Sequence, residues 1–401
     1  MKKVLLIILG IFFGYLVFLA FKTNQVYKKI RTNNSPLVKK NNYNFLIFGY
    51  GGGNHEGTYL TDTIMVFHID TKNKKASIVS IPRDLWVKIP TVDNEDFYTK
   101  INAVYQMELY PQNYPNIDKK VLGAKNDANL VKTVIENIFR IKIDGYVAVD
   151  FEGFKKIIDS LGGVDVVVEK SFIDTQYPIE GKEKDLCNKE IEDLFKKAQP
   201  ILDNTISLEE KNKLLEEDKK LDEFVKNATS SPELAFPCRY ERLVFQKGLT
   251  HMDGETALKF ARSRHSGQDG GDFARARRQH QVIEAIKNKL ISFDIIAKAP
   301  RILDQLKDHL RTDLSIQDMI KTFSKEAPLI NEYKLTTFVF SNSNFLMDNV
   351  SEDGQYILIP KQGLNNWQEI QQAMQKIFLG IDPLLTPSPT STITVTSSVK
   401  K

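Results

Sequence analysis

The sequence predicts an α/β protein, a mixed central sheet with helices packed on it, preceded by one transmembrane helix. Three observations carry that expectation. Residues 43–48 (YNFLIF), 63–69 (TIMVFHI) and 76–81 (ASIVSI) are apolar runs of strand length separated by turn residues. Residues 146–149, 152–161 and 164–168 read as strand, helix and strand, with Gly162-Gly163 as the helix stop. Residues 4–21 form an unbroken apolar run of eighteen, about enough to cross a bilayer as a helix.

A chain of 401 residues with 42% apolar and 26% charged content is ordinary for a folded protein. Its net charge of +4 is too mild to argue for nucleic acid or a membrane surface. The basic character is local. Lys2 and Lys3 before the apolar run also suit a signal peptide, but the run exceeds the usual length and no A-x-A site follows, so an uncleaved anchor is expected. Lys22, Lys28, Lys29 and Arg31 beyond it compete with those lysines, and charge does not set the orientation. The chain divides into an anchor at 1–21, a polar linker at 22–42, a main domain at 43–380 and a Pro/Ser/Thr-rich tail at 381–401 expected to be disordered.

In order, the first strand stops at Gly49, and the glycine-rich segment 49–57 (GYGGGNHEG) leads to another strand. With no G-K-[ST], and no G-x-G-x-x-G running into a helix, it is weak as a nucleotide signature. Asp62 opens the second strand and Arg83-Asp84 closes the third. In a hairpin these ends lie side by side, so the three are expected neighbours, forming either a salt bridge at a sheet end or a site for magnesium with phosphate. Lys100 to Ala103 begins a helix, and residues 128–140 form another. Residues 171–240 read as a charged, helix-prone insertion containing Cys187 and Cys238. In an oxidising compartment a bridge between them would pin its ends, worth about 4 kcal/mol in the chain-entropy model. The alternative is two unrelated thiols, and no histidine spacing suggests zinc. Asp253 caps a helix that delivers Arg262, helices follow near 301–310 and 315–324, strands near 334–340 and 355–359, and a last helix spans 367–378.

The densest chemistry lies at 262–279, which holds Arg262, Arg264, Arg275, Arg277 and Arg278 around a glycine-rich turn. Arg262 and Arg264 alternate and point the same way if that segment is extended. Asp272 is a credible N-cap for a helix from 273 to about 290. The apolar positions Val282, Ile286 and Leu290 continue backwards through Gln279 to Arg275, with Arg278 flanking that face and Arg277 opposite it. Inward guanidinium groups need partners, and a phosphate or pyrophosphate suits them. A charged surface helix with internal ion pairs is the alternative.

With these motifs in order (NFLIFG, LTDTIMV, SIPRD, KINAVY, YVAVDFEGF, LGGVDV, GLTHMDGETALKFARSR and GDFARARRQ), the chain resembles the LytR-CpsA-Psr family of cell-wall glycopolymer ligases over about 43–290. The resemblance implies a layered α-β-α domain on a single-pass membrane anchor, its body outside the cytoplasm. It implies transfer of a glycopolymer from a polyprenyl-pyrophosphate carrier to a peptidoglycan sugar hydroxyl through a phosphodiester. Arg83, Arg262, Arg264 and Arg275, with Gln279, take the positions of pyrophosphate-binding residues, and Arg278 joins them on the helix-face reading. Asp62 takes that of a ligand for magnesium or manganese. Two positions depart from the pattern. Leu60 replaces an arginine, and Gly51 stands where a second metal-binding aspartate is usual, leaving His55 or Glu56 as substitutes. Asp62, Arg83, Asp84 and Arg275 are the expected catalytic group, with Asp84 either a base or an orienter of Arg83. Two other readings stay open: a hydrolase of the same donor, and a nucleic-acid-binding regulator. The second is disfavoured by inward-facing arginines, and no nucleic acid is expected.

Overall fold

Side-chain alternation in the first strands decides how the sheet is covered. Strand β2 (Asn42–Tyr50) sends Phe45 and Ile47 to one side and Leu46, Phe48 and Tyr50 to the other. β3 (Thr61–Asp70) does the same with Met65 and Phe67 against Ile64 and Val66. A strand with two apolar faces must be buried on both, so helices are required above and below.

The computed structural model describes residues 31–35, 40–53, 57–123, 127–290, 306, 308–314 and 332–385. The proposed anchor (4–21) and most of the tail (386–401) lie outside these residues, as do His55 and Glu56. Among the described residues no helix is long and apolar enough to cross a membrane.

Seven strands form the central sheet in the order β1-β12-β7-β2-β3-β4-β13. The added members are β1 (Arg31–Ser35), β4 (Lys75–Ser80), β7 (Gly145–Asp150), β12 (Leu310–Leu314) and β13 (Lys334–Val339). The sheet is mixed: β2 runs parallel to β7 and antiparallel to β3, and β4 runs parallel to β13. One face packs on α1 (Val104–Leu109), α2 (Asn129–Phe139) and α10 (Gln368–Phe378), which contribute Val104, Val134, Ile138, Met374 and Ile377. The other packs on α3 (Phe151–Ser160), α8 (Gly254–Arg262) and α9 (Gly271–Leu290), through Ile157, Phe260, Val282 and Ile286. The result is the three-layered α/β arrangement.

Several elements differ from the expectation. Part of the linker is the edge strand β1, whose polar sequence RTNNS has no alternation to reveal it. Lys100 ends a short strand, β6 (Tyr98–Lys100), paired with β5 (Trp86–Lys88), and helix follows it. β8 (Val164–Val168) leaves the main sheet to pair with β11 (Gly248–Met252). Residues 310–314 are strand where a helix end was expected, and 315–324 lie outside the described residues. A hairpin of β14 (Leu346–Val350) and β15 (Tyr356–Pro360) appears where only one strand was expected.

The insertion begins as strand. β9 (Phe172–Pro178) pairs antiparallel with β10 (Tyr240–Phe245), and the excursion between them carries α4 (Lys189–Leu202), α5 (Leu208–Glu217), α6 (Lys219–Ser230) and α7 (Pro232–Ala235). These helices enclose their own small core of Ala198, Ile201, Leu221, Phe224 and Phe236. Cys187 and Cys238 form a disulfide at its base, with Cα atoms 5.4 Å apart.

Candidate active site

The site is assembled at one end of the sheet. β3 and β4 pair antiparallel from Asp70↔Lys75 to Met65↔Ser80, and continuing that register puts Asp62 across from Arg83. Arg83 Nη1 donates to Asp62 Oδ1 at 2.6 Å. Behind it, Asp84 is buried and lies 3.5 Å from Arg83 Nε and 3.0 Å from Lys100 Nζ. That arrangement fixes the pitch of Arg83, so Asp84 orients the guanidinium.

Helices α8 and α9 bring the other cations over this sheet end. Asp253 caps α8 by accepting from the Thr256 amide at 2.8 Å, and Arg262 is the last helical residue. Its guanidinium lies 4.0 Å over the Phe151 ring and donates to the Tyr177 hydroxyl at 3.3 Å. The chain then turns out through Ser263 to Arg264. The buried Asp174 carboxylate on β9 holds that turn, accepting from Ser263 Oγ at 2.6 Å and from the Arg264 and His265 amides at 3.0 and 3.1 Å. At Gly270 a Cβ would sit 2.1 Å from the Ser266 carbonyl oxygen, so only glycine lets the turn fold back this tightly.

Helix α9 starts at Gly271, which places Asp272 inside the first turn and not at the N-cap. The reason is electrostatic. The Asp272 carboxylate faces Arg83 Nε (3.2 Å), Arg275 Nη2 (3.4 Å) and Arg264 Nη1 (3.7 Å). Arg275 is 6% exposed, donates to the Asp62 carbonyl at 3.2 Å and lies 3.9 Å from its carboxylate. Gln279, one turn on, donates to Thr63 Oγ1 at 2.9 Å.

Here Arg83, Arg264, Arg275 and Lys100 meet Asp62, Asp84 and Asp272, four cations against three carboxylates. Burial alone would raise the Asp62 carboxyl, but Arg83 and Arg275 outweigh it and hold it below the usual carboxylate range. Asp272 is likewise pushed up by burial and drawn lower still by Arg275, Arg83 and Arg264. Burial draws the Arg275 guanidinium down to about 10 against the pull of Asp272 and Asp62, and it stays protonated at neutral pH. With Asp62 and Asp272 held below the usual carboxylate range and Arg275 protonated, this bed suits a polyanion that can exchange with the carboxylates.

Two cavities meet at this bed. A small one, about 20 Å³ and called the polar cavity for its charged groups, is lined by Asp62, Arg83, Asp272, Arg275 and Gln279, with Ile64, Ile81 and Phe273 also in the wall. An apolar one, about 190 Å³, runs between the sheet and helices α3, α8 and α9, lined by Ile47, Met65, Val149, Phe154, Leu258 and Ile283. Thr63 and Gln279 belong to both walls, and Arg262 stands in the apolar wall. A Cβ at Gly49 would meet Thr63 Cβ at 3.0 Å, so glycine there leaves Thr63 room to bond Gln279 in the shared wall.

The structure therefore brings together Asp62, Arg83, Asp84, Arg264, Arg275 and Gln279, with Arg262 at the apolar side. Arg278 does not join them. Its Nε donates to the Phe260 carbonyl at 3.0 Å, Nη1 to the Asp269 carbonyl and carboxylate at 2.7 and 2.8 Å, and Nη2 to the Ser263 carbonyl. Every arm is committed to the 260–269 turn, so its task is to hold Arg264 in place. Arg277 is exposed and pairs with Asp269, away from the bed. Asp62 and Asp272 offer the polar cavity hard carboxylate oxygens of the kind magnesium takes, while Gly51 supplies none. No group of three metal-ligating side chains forms there among the described residues. Lys100, Asp272 as a site carboxylate and Asp174 were not anticipated. Their signal is spatial, since each acts on a residue far away in sequence.

A family model described as the LytR_cpsA_psr family matches residues 15–376. The chain is 28% identical over 284 residues to the polyisoprenyl-teichoic acid–peptidoglycan teichoic acid transferase TagV of Bacillus subtilis (strain 168), covering 70% of this chain and 52% of that protein. It thus spans about half the length of that relative. It is 23% identical over 304 residues to the transferase of the same description, TagU, of Enterococcus faecalis (strain ATCC 700802 / V583), covering 75% and 71%. Other relatives are named as regulatory proteins. The crystal structure of B. subtilis TagV superposes with a TM-score of 0.51 at 23% identity, over 87% of this chain and 100% of that one, a likeness of fold.

Proposed function

The chain belongs to the LytR-CpsA-Psr family, and from that premise we propose that it transfers a glycopolymer from a polyprenyl-diphosphate carrier to a peptidoglycan sugar hydroxyl. The observation that carries this reading is the shared wall of the two cavities: an apolar slot and a bed of arginines lie on either side of the bonded pair Thr63 and Gln279. A donor with a hydrocarbon tail joined to a diphosphate has that same order of parts. The relatives named as teichoic acid transferases support the polymer and the acceptor.

In this mechanism the diphosphate displaces Asp62 and Asp272 as the partner of Arg83, Arg264 and Arg275, and Arg262 and Gln279 hold its lipid end. The acceptor oxygen attacks the sugar-linked phosphorus. A new O–P bond forms, the P–O bond to the lipid phosphate breaks, and lipid phosphate leaves. Charge spreads over phosphoryl oxygens in such a transition state, so positioned guanidinium groups supply most of the catalysis and no nucleophilic side chain is needed. Asp272 accepts the hydroxyl proton. The arginines that depress its basicity turn to the diphosphate when donor binds. Asp62 would hold magnesium or manganese, whose chemistry there is to neutralise diphosphate charge. The body stands outside the cytoplasmic membrane on the 4–21 anchor, and a topology reporter fused after Lys401 tests that placement.

Incubating the protein with labelled polyprenyl-diphosphate glycan and peptidoglycan tests the reaction. Label is expected on peptidoglycan. Label recovered only as free glycan phosphate overturns transfer in favour of hydrolysis.

A further inference from the structure

The reaction needs an acceptor subsite, and geometry says where to look. In phosphoryl transfer the entering and leaving oxygens lie roughly in line, so the acceptor must approach from the side opposite the departing lipid phosphate. The apolar cavity is lined by β7, β2 and the start of β3, whereas the polar cavity lies over β3, the β4 end and Val339 of β13. Lipid to phosphate therefore runs along the sheet order β7-β2-β3-β4-β13. Beyond Val339 the chain runs on into the β14–β15 hairpin.

The hairpin is tied to the site. The Leu358 amide donates to the Asp84 carbonyl at 2.9 Å, and Leu85 and Leu358 form a parallel bridge. Carrying that register two residues back sets Tyr356 across from Arg83, and its phenol feels the charges of Asp84 and Asp272. Tyr356 is 48% exposed, an unusual setting for an aromatic ring on a strand. Its hydroxyl donates to Asp348 Oδ1 at 2.8 Å, and Asn342 Nδ2 donates to both oxygens of the same carboxylate at 2.9 and 3.1 Å. Burial, the bond to Asp348 and the charges of Asp348, Asp84 and Asp272 all raise the phenol above its usual range, keeping it a donor. An exposed ring beside a pre-oriented carboxylate and amide is chemistry that suits a sugar: the ring takes the C–H face, and a carboxylate has lone pairs left for hydroxyl groups.

We propose that Tyr356, Asp348 and Asn342 form the subsite for the acceptor glycan, holding the sugar whose hydroxyl attacks. The proposal rests on the transferase reading for its role, but the binding it asserts is measured without turnover. Soluble, uncrosslinked peptidoglycan glycan strands are titrated onto the full-length protein in detergent by calorimetry, for wild type, Tyr356→Ala, Tyr356→Phe and Asp348→Ala. Tyr356→Ala and Asp348→Ala are expected to weaken strand binding about tenfold, with Tyr356→Phe in between. Affinity for the polyprenyl-diphosphate donor stays within about twofold, and so does the melting temperature within about 2 °C, because these side chains are exposed. In the transfer assay the loss appears as a raised acceptor KM. Failure of wild type to bind strands, unchanged binding in both alanine variants, or an equal loss of donor affinity overturns the subsite. Strand binding that depends on Tyr356 in a protein that transfers nothing to peptidoglycan instead overturns the transferase reading and leaves the subsite standing.

Discussion

Arg275 and Arg278 sit three residues apart on one helix and are both nearly buried, 6% and 1% exposed, yet they face different partners. Arg275 meets the Asp62 and Asp272 side chains, which a substrate can displace. Arg278 meets three backbone carbonyls and Asp269, which nothing displaces. The same residue type is left free for a ligand in one place, as the proposed function requires, and is a structural strut in the other.

Arg275→Ala is expected to weaken donor binding about 10- to 100-fold, since it removes charge-assisted bonds to the diphosphate. Arg277→Ala, which loses an exposed pair with Asp269, should stay within about twofold. Titration with a polyprenyl-diphosphate analogue measures both. Equal losses would mean that Arg277, too, reaches the anion.

Arg278→Met should act on stability. It takes this donor from the Phe260, Ser263 and Asp269 carbonyls and from Asp269 Oδ2, leaving Arg277 alone on that carboxylate, at a cost of about 3–5 kcal/mol. Urea denaturation reads it. A variant that keeps wild-type stability but loses donor affinity would return Arg278 to the binding set.

Asp62→Asn tests the metal. Binding of manganese, followed by electron paramagnetic resonance with the diphosphate donor present, is expected for wild type and lost in Asp62→Asn, and chelation should slow wild-type transfer. Equal binding by both proteins would leave Asp62 only its pairing with Arg83.

Part of the acid sensitivity should come from two imidazoles, buried His68 and half-buried His280, opposed by the Glu108 carboxyl, which burial raises to about 7. Burial lowers His68 and His280 from 6.5 to about 4; at His68 Asp70 opposes the fall and Lys40 adds to it. His68 is bonded to Asn44 Oδ1 at 2.7 Å and stacked on Phe378, and His280 is bonded to Ser80 at 2.8 Å. Between pH 4 and 6.5 the unfolded chain binds protons that the fold does not, so this stability is complete above 6.5 and lost as pH falls towards 4. Each contributes at most about 3 kcal/mol. His68→Gln should flatten the melting temperature across that window, and an unchanged slope would assign the acid loss elsewhere.

The central strands were legible because each is a short apolar run bounded by turn residues, a local signal, and the arginine phase of α9 was legible because helical periodicity separates Arg275 from Arg277. Arg278 was misread because its partners come from the 260–269 turn, whose path is not encoded in the helix's own spacing. Asp272 was misread for a related reason. A residue of that type before a helix resembles a cap, and only the approach of Arg83 from β4 turns it inward. Strand β1 has a polar sequence, RTNNS, and the hairpin partner β14, LMDNV, is short and does not alternate, so no side-chain pattern announces them.

The insertion returns through the strand next to the one it left by, Tyr177 opposite Glu241 and Pro178 opposite Tyr240, and the disulfide closes its base. Its own core makes it a separable lobe. The two residues that matter to the arginine turn, Asp174 and Tyr177, lie on the near side of that closure. Replacing residues 179–239 with a two-residue turn would leave an ordinary hairpin and the same arginine bed. The lobe is therefore free to be lost, enlarged or exchanged among related chains without disturbing the chemistry beneath it.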